Sequence, residues 1–308
     1  MESHRSGSIS NSGGAGLRRR GRTGIPLRLR SRGSSAGRIA LGVFLLTSPA
    51  WAQDVLTWHN DNARTGQNQN ETILTPSNVN SANFGKLFSH SVDGSINAQP
   101  LMKRGVPING STHNVVFVVT SNNSAYAFDA DSNSGANANP LWKVNFGGAN
   151  RGTIGTPVID SGTNTLYCVS NESGSVNRLH ALDITTGAEK FGGPSTISAS
   201  VNGNGDGSSN GKINFSTCSP NQLERLGLLL TGGVVYFGYG SPGDVFPYHG
   251  WLMGYSASNV QNQVVVFNDT PQGGAGGIWM SGAGPSEDSS GNIYVTSGNG
   301  TLSAQNGG

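Results

Sequence analysis

The sequence has few charged residues and few cysteines, and each shortage excludes a class of protein. Charged residues make up 12% of the 308 positions, about half of the usual share. This does not suit a coiled coil or a helical bundle, and a net charge of only +2 does not suit charge-driven disorder. The 47 glycines follow no three-residue period, which excludes collagen. Short apolar runs separated by Gly, Asn, Ser and Thr instead predict an all-β domain with many turns.

The N-terminus has the pattern of an export signal. Residues 1–52 hold nine of the 19 basic residues and a single acid, Glu2, followed by the apolar run Ile39 to Leu46 and by Ala50-Trp51-Ala52. A basic region, a short apolar region and an Ala-x-Ala site stand here in signal-peptide order. We therefore expect residues 1–52 to be a leader, with cleavage near Ala52 and Gln53, and residues 53–308 to form the exported domain, periplasmic or extracellular. An uncleaved anchor and a basic nucleic-acid arm are the alternatives.

The remaining residues give a mildly acidic chain. From Gln53 onward there are 10 basic and 16 acidic residues, a balance of −6. Such a surface predicts no nucleic-acid partner, and no later stretch has the length and apolarity of a transmembrane helix. The two cysteines, Cys168 and Cys218, permit a disulfide in an oxidising compartment but match no zinc or dithiol motif.

The most informative feature is an internal repeat of four short strands. The second strand of each unit begins at Val115, Thr165, Val234 and Asn292, which gives spacings of 50, 69 and 58 residues. Four strands in a repeat of this length are typical of a β-propeller blade. We therefore predict an all-β fold, a β-propeller of four-stranded antiparallel blades, over a β-sandwich or a β-helix. Three full blades, the start of a fourth and an opening strand near residues 55–58 suggest an incomplete propeller; a four-bladed ring is the alternative.

Two repeats carry a motif that resembles a known family. The segment Ala181-Leu182-Asp183-Ile184-Thr185-Thr186-Gly187-Ala188-Glu189-Lys190-Phe191 and the related Ala127-Phe128-Asp129 with Leu141-Trp142 resemble the repeats of pyrroloquinoline quinone (PQQ)-like β-propellers. The opening Trp58-His59-Asn60-Asp61-Asn62-Ala63-Arg64-Thr65-Gly66 is similar to the family's N-terminal motif. The resemblance covers essentially all of residues 53–308, and it implies an exported bacterial protein.

The repeated motif residues have structural roles by their chemistry. An Asp at Asp129 or Asp183 can accept hydrogen bonds from the amides of the next turn, and Gly187 permits a tight turn. Trp142 and Phe191 can fill the space between neighbouring blades. None of these residues forms a cofactor site.

The resemblance also implies what an active quinoprotein would contain: PQQ, a calcium ion, a catalytic Asp, a Trp beneath the quinone and often an adjacent-cysteine disulfide. The chain has no Cys-Cys pair, and its acids cannot be assigned to those positions one by one. We expect no bound cofactor and no catalytic residue, with PQQ and calcium as the alternative. Asp129, Asp131 and Asn133 are spaced like calcium ligands, but they lack the Glu that closes an EF-hand loop.

Two functions follow from this sequence. The first is a non-catalytic binding or scaffold module for a protein, a glycan or a small molecule, because loops carry function on rigid scaffolds. The long loop at residues 240–250, with Asp244, Tyr248, His249 and Trp251, together with Trp279, is the candidate surface. The second is a PQQ-dependent dehydrogenase that needs further C-terminal blades.

Overall fold

A computed structural model describes residues 53–280 and 282–301 of the chain. The predicted leader, residues 1–52, lies outside the described residues. Within the described part, the only α-helix is α1 (Phe215–Cys218), and short 3₁₀ helices span Gly135–Ala138, Ser173–Ser175 and Ser219–Asn221. In these residues no helix combines the length and the apolar character that crossing a membrane requires.

The first sheet has four antiparallel strands in sequence order. They are β1 (Leu101–Ile108), β2 (Ser111–Val119), β3 (Ser124–Asp129) and β4 (Trp142–Asn145). The turns between β1 and β2 and between β2 and β3 each contain an asparagine with a positive φ, at Asn109 and Asn123. Tight hairpin turns favour that residue type at such positions.

The second sheet repeats this arrangement. It contains β5 (Val158–Asp160), β6 (Thr165–Glu172), β7 (Val176–Asp183) and β8 (Ser195–Thr196), again in sequence order and antiparallel. The pair β6 and β7 is the longest, since all eight residues of β6 pair with β7. Both faces of this sheet are covered, because the buried side chains include Leu166, Cys168 and Leu182 on one face and Tyr167 on the other.

The third sheet follows an insertion. In the insertion, β9 (Ser200–Asn202) pairs with β10 (Lys212–Asn214), and α1 follows. The sheet itself has β11 (Leu223–Glu224), β12 (Leu229–Thr231), β13 (Val234–Gly240), β14 (Trp251–Ser256) and β15 (Gln263–Asn268). The strand order is β11-β13-β14-β15, and β12 also pairs with β13. The last strands, β16 (Ser286–Glu287) and β17 (Ile293–Tyr294), pair with each other in a two-stranded sheet.

Apolar side chains fill the spaces between consecutive sheets. One cluster joins the first and second sheets and includes Phe117, Trp142 and Leu182. A second cluster joins the second and third sheets and includes Leu179 and Phe237. Full burial of each such side chain stabilises the fold by about 1.5–3 kcal/mol.

This architecture confirms the predicted fold class. The three predicted second strands lie in three separate antiparallel sheets, as β2, β6 and β13, and not side by side in one sheet. Successive four-stranded sheets with their faces packed against one another are the blades of a β-propeller.

Candidate functional site

A short segment near the N-terminus of the described chain joins all the blades. Val55 exchanges backbone hydrogen bonds with Met102 of β1, and the carbonyl oxygen of Leu56 accepts from the amide of Ile159 in β5. The amide group of Asn62 donates to the carbonyl oxygen of Leu230 in β12 at 3.0 Å. Its backbone oxygen accepts from the amide of Glu287 in β16. We call residues 54–66 the axial segment, because it contacts the first strand of every blade.

Arg64 is the central residue of this segment. Its guanidinium donates to the carbonyl oxygens of Pro285 at 2.9 Å, Trp58 at 2.9 Å and Leu228 at 3.0 Å, and to the hydroxyl oxygen of Thr57 at 2.6 Å. Burial lowers the pKa of Arg64 to about 10, so the group stays charged at neutral pH. A fixed fork of donors suits this position, since several carbonyl groups converge on it.

A cleft of about 580 Å³ opens where the connections between blades meet. Its lining comes from the segment before β1, the β4–β5 connection, β11 and the residue after it, the β13–β14 loop and the β15–β16 connection. These elements contribute Asn97, Asn150, Arg151, Ile154, Leu223, Arg225, Pro242 and Gly282. We call it the axial cleft. Its volume lies within the range of small-molecule sites, about 300–1,000 Å³.

The axial cleft is lined by cations and amides and by no carboxylate of the described residues. Arg151 lies in the β4–β5 connection, and Arg225 lies between β11 and β12 of the third sheet. In the part of the chain that the structure describes, neither guanidinium forms an ion pair within 4.0 Å. Two unpaired guanidinium groups at one cleft favour a ligand with carboxylates or other anionic groups.

Asn171, at the end of β6, fixes the loop that carries Arg151. Its carbonyl oxygen accepts from the amides of Asn150 and Gly152, both at 3.2 Å, and its own amide donates to the oxygen of Gly152. Its side-chain oxygen accepts from the amide of Arg151 at 3.1 Å. The loop therefore has little freedom of its own, and Arg151 is held at the cleft by the neighbouring hairpin.

The loop at residues 240–250 forms a polar network next to the cleft. The Tyr248 hydroxyl donates to Asp244 at 2.6 Å, and the side-chain amide of Asn299 donates to Asp244 at 2.7 Å and to the Tyr248 oxygen at 3.0 Å. The indole of Trp279 donates to Asn299 at 3.2 Å. These bonds lower the pKa of Asp244, while burial and Asp244 raise the pKa of Tyr248 to about 12. The structure thus brings together three of the five predicted ligand-binding residues.

His249 and Trp251, the other two, lie outside this network, and both are fully buried, as is Tyr248. His249 donates through Nε2 to the carbonyl oxygen of Asp206 at 2.8 Å, and its Nδ1 lies 2.9 Å from the Thr270 hydroxyl. Trp251 packs edge-on against Phe215 in the core between the second and third sheets. Side chains alternate between the two faces of β14, and this explains the burial of Trp251, whose side chain lies on the face that packs against the second sheet.

The repeat-motif residues hold turns and inter-blade contacts. Asp129 and Asp183 each accept from a backbone amide two residues later, at 2.9 and 2.8 Å. The indole of Trp142 donates to the Ile184 carbonyl of the next blade at 2.8 Å and packs against Gly187. Phe191 packs partly buried against the core between the second and third sheets.

The three calcium candidates do not converge on one point. Asp129 Oδ2 lies 2.6 Å from His113 Nδ1, Asp131 accepts from the Asn114 amide at 2.9 Å, and Asn133 donates to the carbonyl oxygen of Ser89. Among the residues described, no group of three His, Cys, Asp or Glu side chains could hold a metal ion. Cys168 and Cys218 are both buried and free, so they form no disulfide.

The sequence analysis missed the residues that define the axial cleft. Arg151 and Arg225 are two of only 10 basic residues after position 52, and each lies shortly before the first strand of a repeat. This shared position could have identified both arginines as candidate binding residues. Asn171 and Asn299 gave no signal, because Asn is frequent throughout the chain and their partners are distant in sequence.

Comparison with known proteins finds structures of similar fold. No protein-family model matches the chain, and no curated protein matches it. Among solved structures, a quinohemoprotein alcohol dehydrogenase from Pseudomonas putida HK5 matches with a TM-score of 0.54 and 16% identity, over 81% of this chain and 35% of that chain. One from Comamonas testosteroni matches with a TM-score of 0.53 and 16% identity, over 80% and 36%. The chain thus spans about a third of their length and has the PQQ-type β-propeller fold.

This comparison corrects the expectation that no cofactor is bound. Both solved neighbours are named as quinohemoproteins, so this fold occurs with a quinone and a haem. The lining of the axial cleft fits one part of such a group: its arginine and amide donors suit the carboxylates of PQQ. The lining does not match the other expected features of a quinoprotein site, because the described lining residues include no carboxylate base, no metal-binding acid and no Trp.

Proposed function

We propose that this chain is a ligand-binding β-propeller whose axial cleft holds an organic polycarboxylate, the chemical class to which PQQ belongs. The observation that carries the proposal is the pair of arginines, Arg151 and Arg225, at one cleft with no acid to neutralise them. Arg225 is half-buried, and burying part of its guanidinium without a counter-ion is unfavourable, whereas Arg151 is exposed at the mouth of the cleft. A carboxylate-bearing ligand would supply the missing partner.

The remaining lining supports the same class of ligand. Asn97 and Asn150 present amide groups that can donate to a carboxylate oxygen, while Ile154 and Leu223 offer apolar surface to a ring system. The chain from Gln53 onward carries a balance of −6. The arginines are therefore a local positive site on an acidic protein, which disfavours binding of polyanions elsewhere on the surface.

Titration of the purified chain with PQQ tests the proposal. Arg151→Gln/Arg225→Gln should weaken binding by more than about tenfold, since each charge-assisted hydrogen bond contributes roughly 1.5–3 kcal/mol. Quenching of tryptophan fluorescence reports the binding. Lys86→Gln/Lys212→Gln removes the same charge at two exposed lysines outside the cleft and should bind like the wild type. Equal weakening in both double variants, or no binding by the wild type, would count against the proposal.

A quinone-dependent oxidoreductase is the second candidate, because both solved neighbours are named as quinohemoprotein alcohol dehydrogenases. Dye reduction with an alcohol, in the presence of PQQ and calcium, distinguishes the two functions. The chain should bind PQQ and show no turnover, because its cleft lining contains no carboxylate that could act as a base. Measurable turnover would favour the oxidoreductase.

We further propose that residues 1–52 direct export and are removed. The observation is the order of basic, apolar and Ala-x-Ala regions in the sequence. Expression of the full chain in a bacterial host should give a mature protein that begins at Gln53, as read by mass spectrometry of the intact product. A product that keeps Ala52 and stays in the cytoplasm would contradict this proposal.

A further inference from the structure

The wall behind the axial cleft contains buried polar groups without partners. Within the described residues, the side-chain amide of Gln222, both carboxyl oxygens of Glu224 and the hydroxyl of Tyr239 have no hydrogen-bond partner. Glu224 is only 3% exposed and pairs directly across the sheet with Tyr239. Buried polar groups are normally satisfied, so this cluster needs a physical explanation.

Oxygen atoms crowd together at Gly155. A Cβ atom built on Gly155 would lie 2.2 Å from Oε2 and 2.6 Å from Oε1 of Glu224, and 2.4 Å from the carbonyl oxygen of Leu226. The carboxyl group and the carbonyl oxygen therefore face the same small space. An ionised Glu224 carboxylate and the Leu226 carbonyl oxygen are both acceptors and repel each other in this space. A proton on Glu224 would make its carboxyl group a donor.

The surroundings of Glu224 also favour the neutral form. Cys168 of β6 and Tyr239 of β13 are titratable side chains that interact with it electrostatically, and burial raises the pKa of both groups as well, so neither supplies a charge at neutral pH. Burial raises the pKa of Glu224 well above its ordinary value of 4.5. No cation of the described residues forms an ion pair with it.

Glu224 is directly linked to the cleft through β11. This strand has two residues, and it is joined to β13 by the pairs Leu223 with Gly240 and Glu224 with Tyr239. Side chains alternate along a strand: Leu223 and Arg225 line the cleft, while Glu224 faces the interior between the second and third sheets. Among the described strands, β11 pairs with β13 alone.

We propose that Glu224 is a proton-controlled latch for the axial cleft: the protonated side chain stays between the blades and holds Leu223 and Arg225 in place, and its ionisation releases β11. The part of this proposal that concerns ligand binding rests on the proposed function of the cleft. An ionised Glu224 has no partner in its buried position, so it reaches water only when β11 moves. The positive charge of Arg225 then leaves the cleft with the strand.

The sign of the pH dependence follows from the raised pKa. Below pH 4.5 both the folded and the unfolded chains carry the proton, and the full stability is present. As the pH rises, the unfolded chain loses this proton first, and the folded state is progressively destabilised until the pH passes the folded pKa. Stability and cleft affinity should therefore decrease from acidic towards alkaline pH.

Urea unfolding between pH 6 and 9 tests the latch. Glu224→Gln keeps the shape of the protonated side chain, so its unfolding free energy should be higher than that of the wild type at pH 8, and its decrease with pH should be smaller. Glu71→Gln removes an exposed carboxylate whose pKa is lowered, so it is ionised across this range and the variant should keep the wild-type slope. If Glu224→Gln keeps the wild-type slope as well, the latch is refuted.

Thiol labelling of the wild-type chain provides a test that needs no variant. Cys168 is buried in β6, a strand that packs against β11, whereas Cys218 lies in α1 against Gly207. Relative to the unfolded chain, labelling of Cys168 should become at least about tenfold faster from pH 6 to 9, and labelling of Cys218 should not. A constant ratio for Cys168 refutes the latch.

Binding of PQQ across the same range separates this proposal from the proposed function. Wild-type affinity should fall by about tenfold from pH 6 to 9, and Glu224→Gln should keep its affinity. If PQQ binds at no pH, the proposed function fails, while the labelling and unfolding results still decide whether Glu224 controls β11. If PQQ binds with the same pH dependence in both proteins, Glu224 does not control the cleft.

Discussion

Replacing Arg64 with methionine should cost at least about 3 kcal/mol of the free energy of unfolding. The guanidinium is the shared donor for the carbonyl oxygens of Trp58, Leu228 and Pro285 and for the Thr57 hydroxyl. Methionine fills a similar volume but offers no donor, so several buried acceptors lose their partner, and each unsatisfied group costs about 1–3 kcal/mol. Because these carbonyls belong to the axial segment and to two blades, the loss should appear as a lower urea midpoint for the whole domain.

Arg104→Met is the matched control for this experiment. Arg104 donates to Asp54 at 3.1 Å from a position that is 36% exposed, and Lys103 also contacts Asp54. An exposed pair of this kind contributes about 0–1 kcal/mol. A similar loss in the two variants would show that the position of Arg64 between the blades gives it no special role.

Gly152→Ala should have the second large effect, on both stability and cleft binding. A Cβ atom at this position would lie 2.0 Å from the carbonyl oxygen of Ser121, which is backbone of the first blade and cannot move aside. The φ of Gly152 is +80°, a region that costs an ordinary residue about 1–2 kcal/mol even without a clash. We expect a loss of more than about 3 kcal/mol in urea unfolding.

Gly174→Ala separates the clash from the backbone strain. Gly174 has a similar φ of +76°, and a Cβ atom there would have no neighbour within 4 Å. This variant should lose only about 1–2 kcal/mol and keep the affinity for PQQ. Because Arg151 precedes Gly152, only Gly152→Ala should weaken the binding of PQQ, which fluorescence titration measures. Equal losses in the two variants would mean that the contact with Ser121 is unimportant.

Local patterns were sufficient to predict the blades. Each predicted second strand at Val115, Thr165 and Val234 is a strand of its own sheet, because strand-length apolar runs joined by Asn and Gly turns favour pairing with their sequence neighbours. The inter-blade position of Trp142 also follows from the repeat, since every blade must cover an apolar face. These inferences depend on residues close together in sequence.

The burial of the predicted binding residues depends on packing between sheets. Tyr248, His249 and Trp251 belong to the candidate surface that the sequence indicates, yet all three are buried. Whether such a side chain faces a core or a ligand depends on which sheet packs against it, and the sequence does not show that packing. Tyr248, Asp244 and Trp279 do lie together, but Asn299 joins them from 51 residues beyond Tyr248.

The sequence by itself predicted successive antiparallel sheets built from repeated strand units, because strand periodicity and turn residues act over a few positions. Only the tertiary structure decided where the cleft lies. Arg151 and Arg225 are 74 positions apart and become neighbours because the β4–β5 connection and the residue after β11 line the same cleft. The tertiary structure also decided that Glu224 is buried without a partner, since the burial of a side chain depends on the blades that pack around it.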